Sequence, residues 1–541
     1  MSYNWRPMIR KQRSDPDRPP AGNVLIASLL GLLFLFPGTD ACALQWLAGE
    51  RLSAAREHYL AGDFKSAAAE LSARLAAGDT LPAATYALVQ ALLGDGRLDE
   101  AFEIARQAVE RLPKVAWNHA AVGDVALQTA EFQRAINAYH TALALDGTVA
   151  RAHLGMARIL GAQALWPAAR QEYDTAYSLD PADPEVILGK SRVVTGERRR
   201  QLGREYARLA TYRDEDIRRH LERIYAEDAP AALDTSTCEV AGPVQKMRVK
   251  LRMLRPSPRH LDRLGIPFSI NGKKAEIALF DTGGSAVMVD ERYAKKLGLE
   301  KLIETIHAGV GDEGFKSAYL ARIDSLQIGE VTFRNCLVHV NPNRKTFKDP
   351  NDRVAVIGSD LFYDDFQVAI DSVAGMLELD PYPALPVGTG DVPPILGHER
   401  DLSKVEQGFV QSLFFDKDVL VPTWINDREP PVYLLLDSGA MQTILTHRTA
   451  GAVTKLTDAA FKVFGESGEV KDVRQAANLR LNIAGVNQTY GSLLTISADE
   501  RARVLGYGVG GYVGWSLLQH VTVTIDARNA LVKMEAGSRL K

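Results

Sequence analysis

Residues 277–283 read Ile-Ala-Leu-Phe-Asp-Thr-Gly, and residues 433–439 read Tyr-Leu-Leu-Leu-Asp-Ser-Gly. Each stretch is a short apolar run that ends in an Asp-(Thr/Ser)-Gly triplet, and the chain holds no third triplet of this kind. A single triplet is also what a turn at the end of a strand looks like, because Asp, Ser and Gly all favour turns. The repetition of the whole stretch is therefore the informative feature.

The two stretches belong to a longer internal duplication. The aspartates are 437 − 281 = 156 residues apart, and the same shift carries three further glycines onto glycines: Gly309 onto Gly465, Gly329 onto Gly485 and Gly358 onto Gly514. Closer to the end of each copy the shift becomes 523 − 368 = 155, where Val-Ala-Ile-Asp matches Val-Thr-Ile-Asp. Glycine marks backbone positions that reject a side chain, so a shared spacing predicts a shared backbone path.

Both copies are predicted to be β-structure. Their apolar runs are short, rich in β-branched residues and bounded by Gly, Asn or Asp. Asn271-Gly272 is a hairpin signal between two such runs. Helical spacing is brief, as in the stretch from Glu291 to Leu297.

The order of these features resembles the aspartic proteases, and specifically the compact retropepsin-like lobe: apolar strand, Asp-Thr/Ser-Gly, glycine-rich hairpin, apolar-apolar-Gly and a final strand pair. The stretch from Leu261 to Glu378 resembles one lobe, and the stretch from Gln407 to Glu535 resembles the other. The resemblance implies an all-β bilobal acid-protease fold in one chain. We place its lobes at residues 240–380 and 404–538.

The resemblance also implies the chemistry, which is peptide-bond hydrolysis of a protein or peptide substrate by an aspartic endopeptidase. Asp281 and Asp437 would be the catalytic pair, since two adjacent carboxylates share one proton and can activate water while polarising the carbonyl. The resemblance assigns supporting roles in the two loops to Thr282, Gly283, Ser438 and Gly439. It also places Gly358 and Gly514 beneath the aspartates. The stretches from Gly309 to Ala318 and from Gly465 to Val473 match the flap hairpins, although a plain surface loop fits them equally.

The loops depart from the secreted pepsins at the next position, where Gly284 and Ala440 stand in place of Ser or Thr. Met441 makes the second loop the less orthodox of the two. A rival hypothesis is therefore a non-catalytic peptide-binding scaffold with degenerate lobes. A further arrangement has the lobes pairing between two chains.

The part from 48 to 226 has a different composition and a repeat of 34 residues. Its anchors are Ala67, Ala101, Ala135 and Ala169, each preceded at three positions by a large apolar residue: Phe64, Leu98, Phe132 and Trp166. This pattern resembles the tetratricopeptide repeat and predicts an all-α solenoid before the protease lobes. Such repeats bind peptides or partner proteins, so a protein partner on the repeat face is expected. They could equally present substrate or cover the protease entrance.

The chain gives no sign of a nucleic-acid partner. Arg198-Arg199-Arg200 is a run of positive charge, but such a run is typical of a solvated helix face. The net charge of −3 does not favour a general polyanion surface.

Residues 1–43 are predicted to be a signal peptide or an N-terminal anchor. A basic stretch precedes an apolar run from Val24 to Phe36, which is short for a membrane span. Ala41-Cys42-Ala43 offers small residues for cleavage before Leu44. We therefore expect export to the periplasm or outside the cell, with a membrane association only if this segment is retained.

Cys238 and Cys336 would remain after cleavage, either as a disulfide or as two buried thiols. No CxxC or HExxH pattern occurs, so neither a metal nor a cofactor is expected. Residues 381–403 are rich in proline and predict an extended linker between the lobes.

Overall fold

The computed structural model describes residues 52–78, 83–230, 233, 238–254, 263–273, 276–285, 287–342, 354–386, 388 and 390–537. The predicted export segment at 1–43 lies outside these residues. Among the helices of the described ranges, none combines the length and the apolar character needed to cross a bilayer.

The first part of the described chain is helical. Its helices are α1 (Ser53–Leu60), α2 (Phe64–Ala76), α3 (Ala84–Gly94), α4 (Leu98–Arg111), α5 (Ala116–Gln128), α6 (Phe132–Leu145), α7 (Ala150–Ala162), α8 (Trp166–Leu179), α9 (Pro184–Ser191), α10 (Gly196–Leu209) and α11 (Glu215–Ile224).

The 34-residue spacing corresponds to pairs of packed helices. The large apolar residues that precede the anchors are the first residues of α2, α4, α6 and α8, and all the anchor alanines are fully buried. Tyr139 shows why small residues are needed opposite: a Cβ on Gly123 or on Gly155 would lie 2.4 or 2.1 Å from its ring. One tyrosine thus packs against its own repeat and the next one. The prediction of an all-α repeat region is confirmed.

The segment between α10 and α11 returns to the first helix of the repeat region. Thr211 Oγ1 donates a hydrogen bond to the Leu60 carbonyl at 2.7 Å, and the rings of Tyr59 and Tyr212 lie 5.4 Å apart. Tyr212 and Arg213 both donate to Glu185 of α9 at 2.6 Å. This segment therefore joins the first and the last repeats through their side chains.

The second part of the chain forms two β-lobes. Lobe 1 contains β1 (Glu239–Val240), β2 (Met247–Lys250), β3 (Arg252–Leu254), β4 (Arg263–Ile270), β5 (Glu276–Asp281), β6 (Val287–Asp290), α12 (Glu291–Leu297), β7 (Lys301–His307), β8 (Lys316–Ile328), β9 (Val331–Asn341), β10 (Ala355–Gly358), β11 (Phe366–Asp371) and β12 (Met376–Pro381).

Lobe 2 repeats this order. It contains β13 (Val410–Gln411), β14 (Leu413–Phe415), β15 (Asp418–Ile425), β16 (Val432–Leu436), β17 (Ile444–Thr446), α13 (His447–Gly451), β18 (Thr457–Asp458), β19 (Val463–Gly465), β20 (Gly468–Val470), β21 (Val473–Ile483), β22 (Val486–Ile496), α14 (Asp499–Leu505), β23 (Gly511–Val513), α15 (Trp515–Leu518), β24 (Val521–Asp526) and β25 (Leu531–Ala536).

Each lobe has its own sheet, and a further sheet joins the lobes. The strand order is β1-β9-β6-β10-β5-β4-β8-β7 in lobe 1 and β14-β15-β16-β23-β17-β22-β21-β18 in lobe 2. The joining sheet has the order β13-β25-β24-β11-β12-β2, and it is antiparallel where β11 meets β24, with Val368 opposite Ile525. The duplicated segments with the shift of 155 therefore pair with each other. The prediction of a bilobal, mainly β part is confirmed.

Cys238 and Cys336 form a disulfide, with their Cα atoms 4.3 Å apart. The bond ties the segment that enters lobe 1 to β9. Of the two alternatives that the sequence left open, the structure contains the disulfide.

The linker between the lobes differs from the extended chain that its prolines predict. Pro394–Gly397 is a 3-10 turn, and Leu396 within it is buried against Ala169 and Tyr173 of α8. The Arg400 side chain donates to the Gln163 carbonyl at 2.8 Å. The apolar side chains between the prolines find a partner in the repeat surface, which composition alone does not reveal.

The turns that connect paired helices contact lobe 2. Phe132 at the start of α6 stacks on Phe415 of β14, with ring centroids 5.3 Å apart. The Gly508 N–H donates to the Leu127 carbonyl at 2.9 Å, and a Cβ at Gly508 would lie 2.1 Å from the Gln128 carbonyl oxygen. The repeat region is thus packed directly on lobe 2.

Candidate active site

The two aspartate loops start at equivalent places in the two lobes. Asp281 is the last residue of β5, which runs parallel to β10 with Gly358 beside Asp281. Asp437 follows the last residue of β16, which runs parallel to β23, and its N–H donates to the Val513 carbonyl at 3.1 Å. The strand ends fix both backbones before the loops begin.

The middle residues of the triplets bind each other across the lobes. The Thr282 N–H donates to Ser438 Oγ at 2.9 Å, and the Ser438 N–H donates to Thr282 Oγ1 at 2.8 Å. Ser438 Oγ is also 3.3 Å from the Phe280 carbonyl, to which it donates. Both side chains are buried, so each hydroxyl satisfies an N–H that has no access to water. This reciprocal pair holds the two loops in one fixed relation.

The aspartate side chains meet between the loops. Asp281 Oδ1 accepts from the N–H of its own Gly283 and from that of Gly439 in the other lobe, both at 2.9 Å. Asp437 Oδ1 accepts from the Ala440 N–H at 2.8 Å. A Cβ on Gly283 would lie 2.6 Å from Asp437 Cγ, and a Cβ on Gly439 would lie 2.4 Å from Asp281 Oδ2. Each glycine leaves the space that the opposite carboxylate occupies.

Gly358 and Gly514 support the loops from below. A Cβ on Gly358 would lie 2.4 Å from the Gly284 carbonyl oxygen, and one on Gly514 would lie 2.2 Å from the Gln442 carbonyl. Real Cβ atoms do not come this close to backbone, so only glycine lets each loop rest on the neighbouring strand end. All the residues that the sequence singled out around the two triplets therefore lie in one place.

The electrostatic surroundings keep a proton on the pair. Burial raises the pKa of Asp281 above its ordinary value, while the N–H groups of Gly283 and Gly439 act in the opposite direction. Burial, and after it the charge of Asp281, raises the pKa of Asp437 to about 7. The positive charge of Arg263 lowers both pKa values. Two carboxylates this close cannot both ionise readily, so one proton remains between them near neutral pH.

The two segments that match flap hairpins also contact each other. In lobe 1 the hairpin of β7 and β8 ends in the loop 308–315, and in lobe 2 β19 and β20 form a small hairpin. The Ser467 N–H donates to the Val310 carbonyl at 3.0 Å, and the Glu313 N–H donates to the Ser467 carbonyl at 2.8 Å. Both segments form the tips of hairpins, and the two tips are hydrogen-bonded to each other.

Four polar residues near this site were not predicted from the sequence: Arg263, His307, Asn341 and Glu466. None of them belongs to a triplet or to a glycine landmark, and single His, Asn and Glu residues carry no pattern of their own. Within the described residues, no group of three or more His, Cys, Asp or Glu side chains is arranged to hold a metal ion.

Comparisons with known proteins give a family match within lobe 1. The family model described as "Aspartyl protease" matches residues 266–361, which include Asp281 and Gly358. The crystal structure of a retropepsin-like aspartic protease from Rickettsia conorii is similar over 26% of this chain and 94% of that one, with 19% identity and a TM-score of 0.19. No curated protein sequence matches the chain. That TM-score is too low to support an argument, so the comparisons show a similarity of residues 266–361, within lobe 1, to the aspartyl protease family.

Proposed function

We propose that this protein is an exported aspartic endopeptidase whose catalytic pair, Asp281 and Asp437, is assembled within one chain. The observation that carries the proposal is the reciprocal hydrogen bonding of Thr282 and Ser438, since it brings one aspartate from each lobe to a common position. A single lobe supplies one carboxylate, and the hydrolysis needs two with one proton between them.

The hydrogen bonds suggest different roles for the two carboxylates. Asp281 Oδ1 accepts from two N–H groups, whereas Asp437 Oδ1 accepts from the Ala440 N–H. N–H donors stabilise the ionised form, so Asp281 acts as the base that takes a proton from water. Asp437 holds the proton and donates it toward the carbonyl oxygen of the scissile bond. No covalent intermediate and no metal is required.

The unorthodox second loop does not count strongly against activity. The Ala440 carbonyl accepts from the Trp515 N–H at 2.8 Å, and the Met441 carbonyl accepts from the Ser516 N–H at 3.0 Å. The backbone of the loop is thus held by α15 rather than by a Ser or Thr side chain at position 440. The rival hypothesis, a peptide-binding scaffold, keeps the same geometry and differs in having no turnover.

The helical repeats are proposed to support the protease as well as to bind a partner. They pack on lobe 2 through Phe132, and α11 reaches β7 of lobe 1, where Arg223 and Glu304 form an ion pair at 3.1 Å. A protein partner on the remaining repeat surface would therefore bind a helical region that already contacts both lobes. Export agrees with the Cys238–Cys336 disulfide, because disulfides persist in oxidising compartments.

The test is cleavage of an unfolded protein by the purified chain from acidic to neutral pH, with and without a transition-state-mimicking inhibitor of aspartic proteases. We expect cleavage that the inhibitor blocks. Absence of cleavage at every pH, with peptide binding retained, would favour the scaffold instead. Cleavage that the inhibitor does not reduce would indicate a contaminating protease or another mechanism.

A further inference from the structure

The tip of the lobe 2 hairpin crosses to lobe 1 and is held there. Ser467 is fully buried; its Oγ accepts from the Gly309 N–H at 3.1 Å and donates to the Gly314 carbonyl at 2.9 Å. The Lys471 N–H donates to Asp312 Oδ2 at 2.7 Å. We call the joined segments, residues 308–315 and 463–470, the roof. Since its two halves come from different lobes, opening the roof requires these bonds to break.

A charged side chain accompanies this crossing. Glu466 Oε1 lies 3.0 Å from His307 Nε2 at the end of β7 and 3.1 Å from Asn341 Nδ2, which donates to it at the end of β9. Asn341 is fully buried and the His307 side chain is 8% exposed, so the carboxylate of Glu466 sits against a preformed polar notch. Hydrogen bonds to an ionised acceptor are stronger than those between neutral groups.

The backbone around the notch is shaped for this contact. A Cβ on Gly309 would lie 2.7 Å from Glu466 Cβ, and one on Gly465 would lie 2.1 Å from the Val310 carbonyl oxygen. The glycines let the two segments approach until the carboxylate reaches the histidine and the asparagine. Glu469 of the same hairpin instead pairs with Lys462 of its own lobe at 2.7 Å.

Apolar side chains of the roof belong to the same cluster as residues of lobe 2. Val310, Val463 and Val470 pack in the same apolar cluster as Ile444 and Tyr512 of lobe 2. Tyr512 lies opposite Leu435, two residues before Asp437. The roof and the strand that leads to the second aspartate loop therefore belong to one continuous apolar cluster.

From this geometry we infer that Glu466 is a positioning residue, which anchors the lobe 2 hairpin in the His307–Asn341 notch of lobe 1 and so holds the roof in its closed position. The inference rests on the proposed function, because a closed roof serves a protease by retaining the substrate against the aspartates. Glu466 acts through the hairpin and does not itself touch the reacting atoms. Its loss should weaken substrate retention more than the chemical step.

The test compares Glu466→Ala and Glu466→Gln with the matched control Glu469→Gln, which changes a neighbouring charge of the same hairpin. The first measurement is hydrogen exchange of the roof amides in the full chain without substrate. We expect exchange about tenfold faster in Glu466→Ala, because a bond to a charged acceptor is lost. Glu466→Gln should lie in between, since its amide oxygen still accepts from Asn341, and Glu469→Gln should match the parent.

The second measurement is the split between KM and kcat on a peptide substrate. Glu466→Ala should raise KM by about tenfold and change kcat by less than about threefold, as expected when ground-state and transition-state binding weaken equally. Equal exchange in Glu466→Ala and Glu469→Gln would overturn the inference. If the parent cleaves no peptide at all, the proposed function fails, while the exchange rates still decide whether Glu466 anchors the roof.

Discussion

The two aspartate loops have matching triplets and unequal surroundings. In lobe 1 the carboxylate of Asp281 receives an N–H from its own loop and one from the loop of lobe 2. In lobe 2 the carboxylate of Asp437 receives the N–H of Ala440 from its own loop, and its pKa is raised to about 7. A duplicated sequence has thus produced two sites that differ in how well each holds a negative charge.

The difference between the two carboxylates matters for the proposed function. One carboxylate must be ionised and the other protonated for the hydrolysis, so a perfectly symmetric pair would have to break its symmetry by chance. Here burial and the charge of Asp281 raise the pKa of Asp437 to about 7, and in the proposed mechanism this difference places the proton on Asp437 before substrate arrives. The strands, the triplets and the glycines beneath them provide a common frame, and the proposed roles differ through the N–H donors and charges around each carboxylate.

Removing either carboxylate should have the largest effect. Asp281→Asn and Asp437→Asn should each lower the rate of cleavage by about 10⁴-fold, because half a pair can neither share a proton nor activate water. The rate is measured with an unfolded protein substrate and compared with Asp324→Asn, an exposed aspartate of lobe 1. Full activity in either single variant would contradict the proposed mechanism.

The same variants distinguish pairing within one chain from pairing between two chains. If the site is assembled within one chain, a mixture of the two single variants stays inactive, since every molecule carries one defective loop. Recovery of activity in the mixture would instead place the lobes of a working site on different chains.

The glycines beneath the loops should give the next largest effect. Gly358→Ala and Gly514→Ala place a methyl group against the backbone of the loop above, at 2.4 and 2.2 Å, so the loop must move. A displacement of this size costs about 100-fold in activity when catalytic groups must be aligned. Gly491→Ala and Gly397→Ala serve as controls, because a Cβ at either position meets nothing within 4 Å.

Comparing the two glycine variants would sharpen the comparison of the lobes. The loop of lobe 2 carries the unorthodox Ala440 and Met441 and is held by α15. A far milder effect of Gly514→Ala than of Gly358→Ala would show that this second loop tolerates displacement, and would weaken its assigned part in catalysis.

The sequence predicts the frame of this protein because the frame depends on repeated, spaced residues. Glycines at Gly358 and Gly514 and alanines at 34-residue intervals mark close backbone contacts, and such contacts recur wherever the fold recurs. The helix Glu291–Leu297 is predicted from a different signal, the brief helical spacing of its apolar residues. The sequence does not decide between a disulfide and two thiols, because two cysteines 98 residues apart carry no spacing signal.

The asymmetry could not be predicted, since it arises from contacts between the two copies. The Gly439 N–H has the same sequence context as that of Gly283, and its acceptor in the other lobe is fixed by how the lobes dock. The notch that binds Glu466 is likewise assembled from three distant segments. The folded linker and the contact of Phe132 with Phe415 depend on the docking of whole domains.

The hydroxyls that join the loops should have a moderate effect. Thr282→Val leaves the buried Ser438 N–H without an acceptor, which should destabilise the protein by about 1–3 kcal/mol. Ser438→Ala should cost more, because it removes an acceptor and also a donor to the Phe280 carbonyl. Unfolding midpoints and cleavage rates are measured side by side.

The conservative exchanges Thr282→Ser and Ser438→Thr are the controls, since they keep a hydroxyl at each position. Activity should fall about tenfold in the variants that lose the hydroxyl and much less in the controls. If Thr282→Val and Thr282→Ser behave alike, the hydroxyl does not hold the loops together.

The smallest effect concerns the pH at which the proton leaves the pair. Activity requires one proton on Asp281 and Asp437 together, so it should fall as pH rises through about 7, the raised pKa of Asp437. Arg263 lowers the pKa of both carboxyls. Arg263→Gln should therefore move this upper limit to higher pH, by less than about one unit. The measurement is kcat/KM as a function of pH, with Arg252→Gln of the adjacent strand β3 as the control.

The stability of the protein, like its activity, should fall as pH rises. A carboxyl whose pKa is higher in the folded state than its ordinary 3.8 favours folding while it is protonated, and this contribution is lost as pH rises through about 7. Asp437→Asn removes the cost of ionising this buried carboxyl. Its unfolding midpoint should therefore rise relative to that of the unsubstituted protein above pH 7, but not at pH values below 3.8. A difference that is the same at both pH values would mean that folding does not raise the pKa of Asp437. Asp437 would then ionise as readily as an ordinary carboxyl, and its assignment as the proton donor would be wrong.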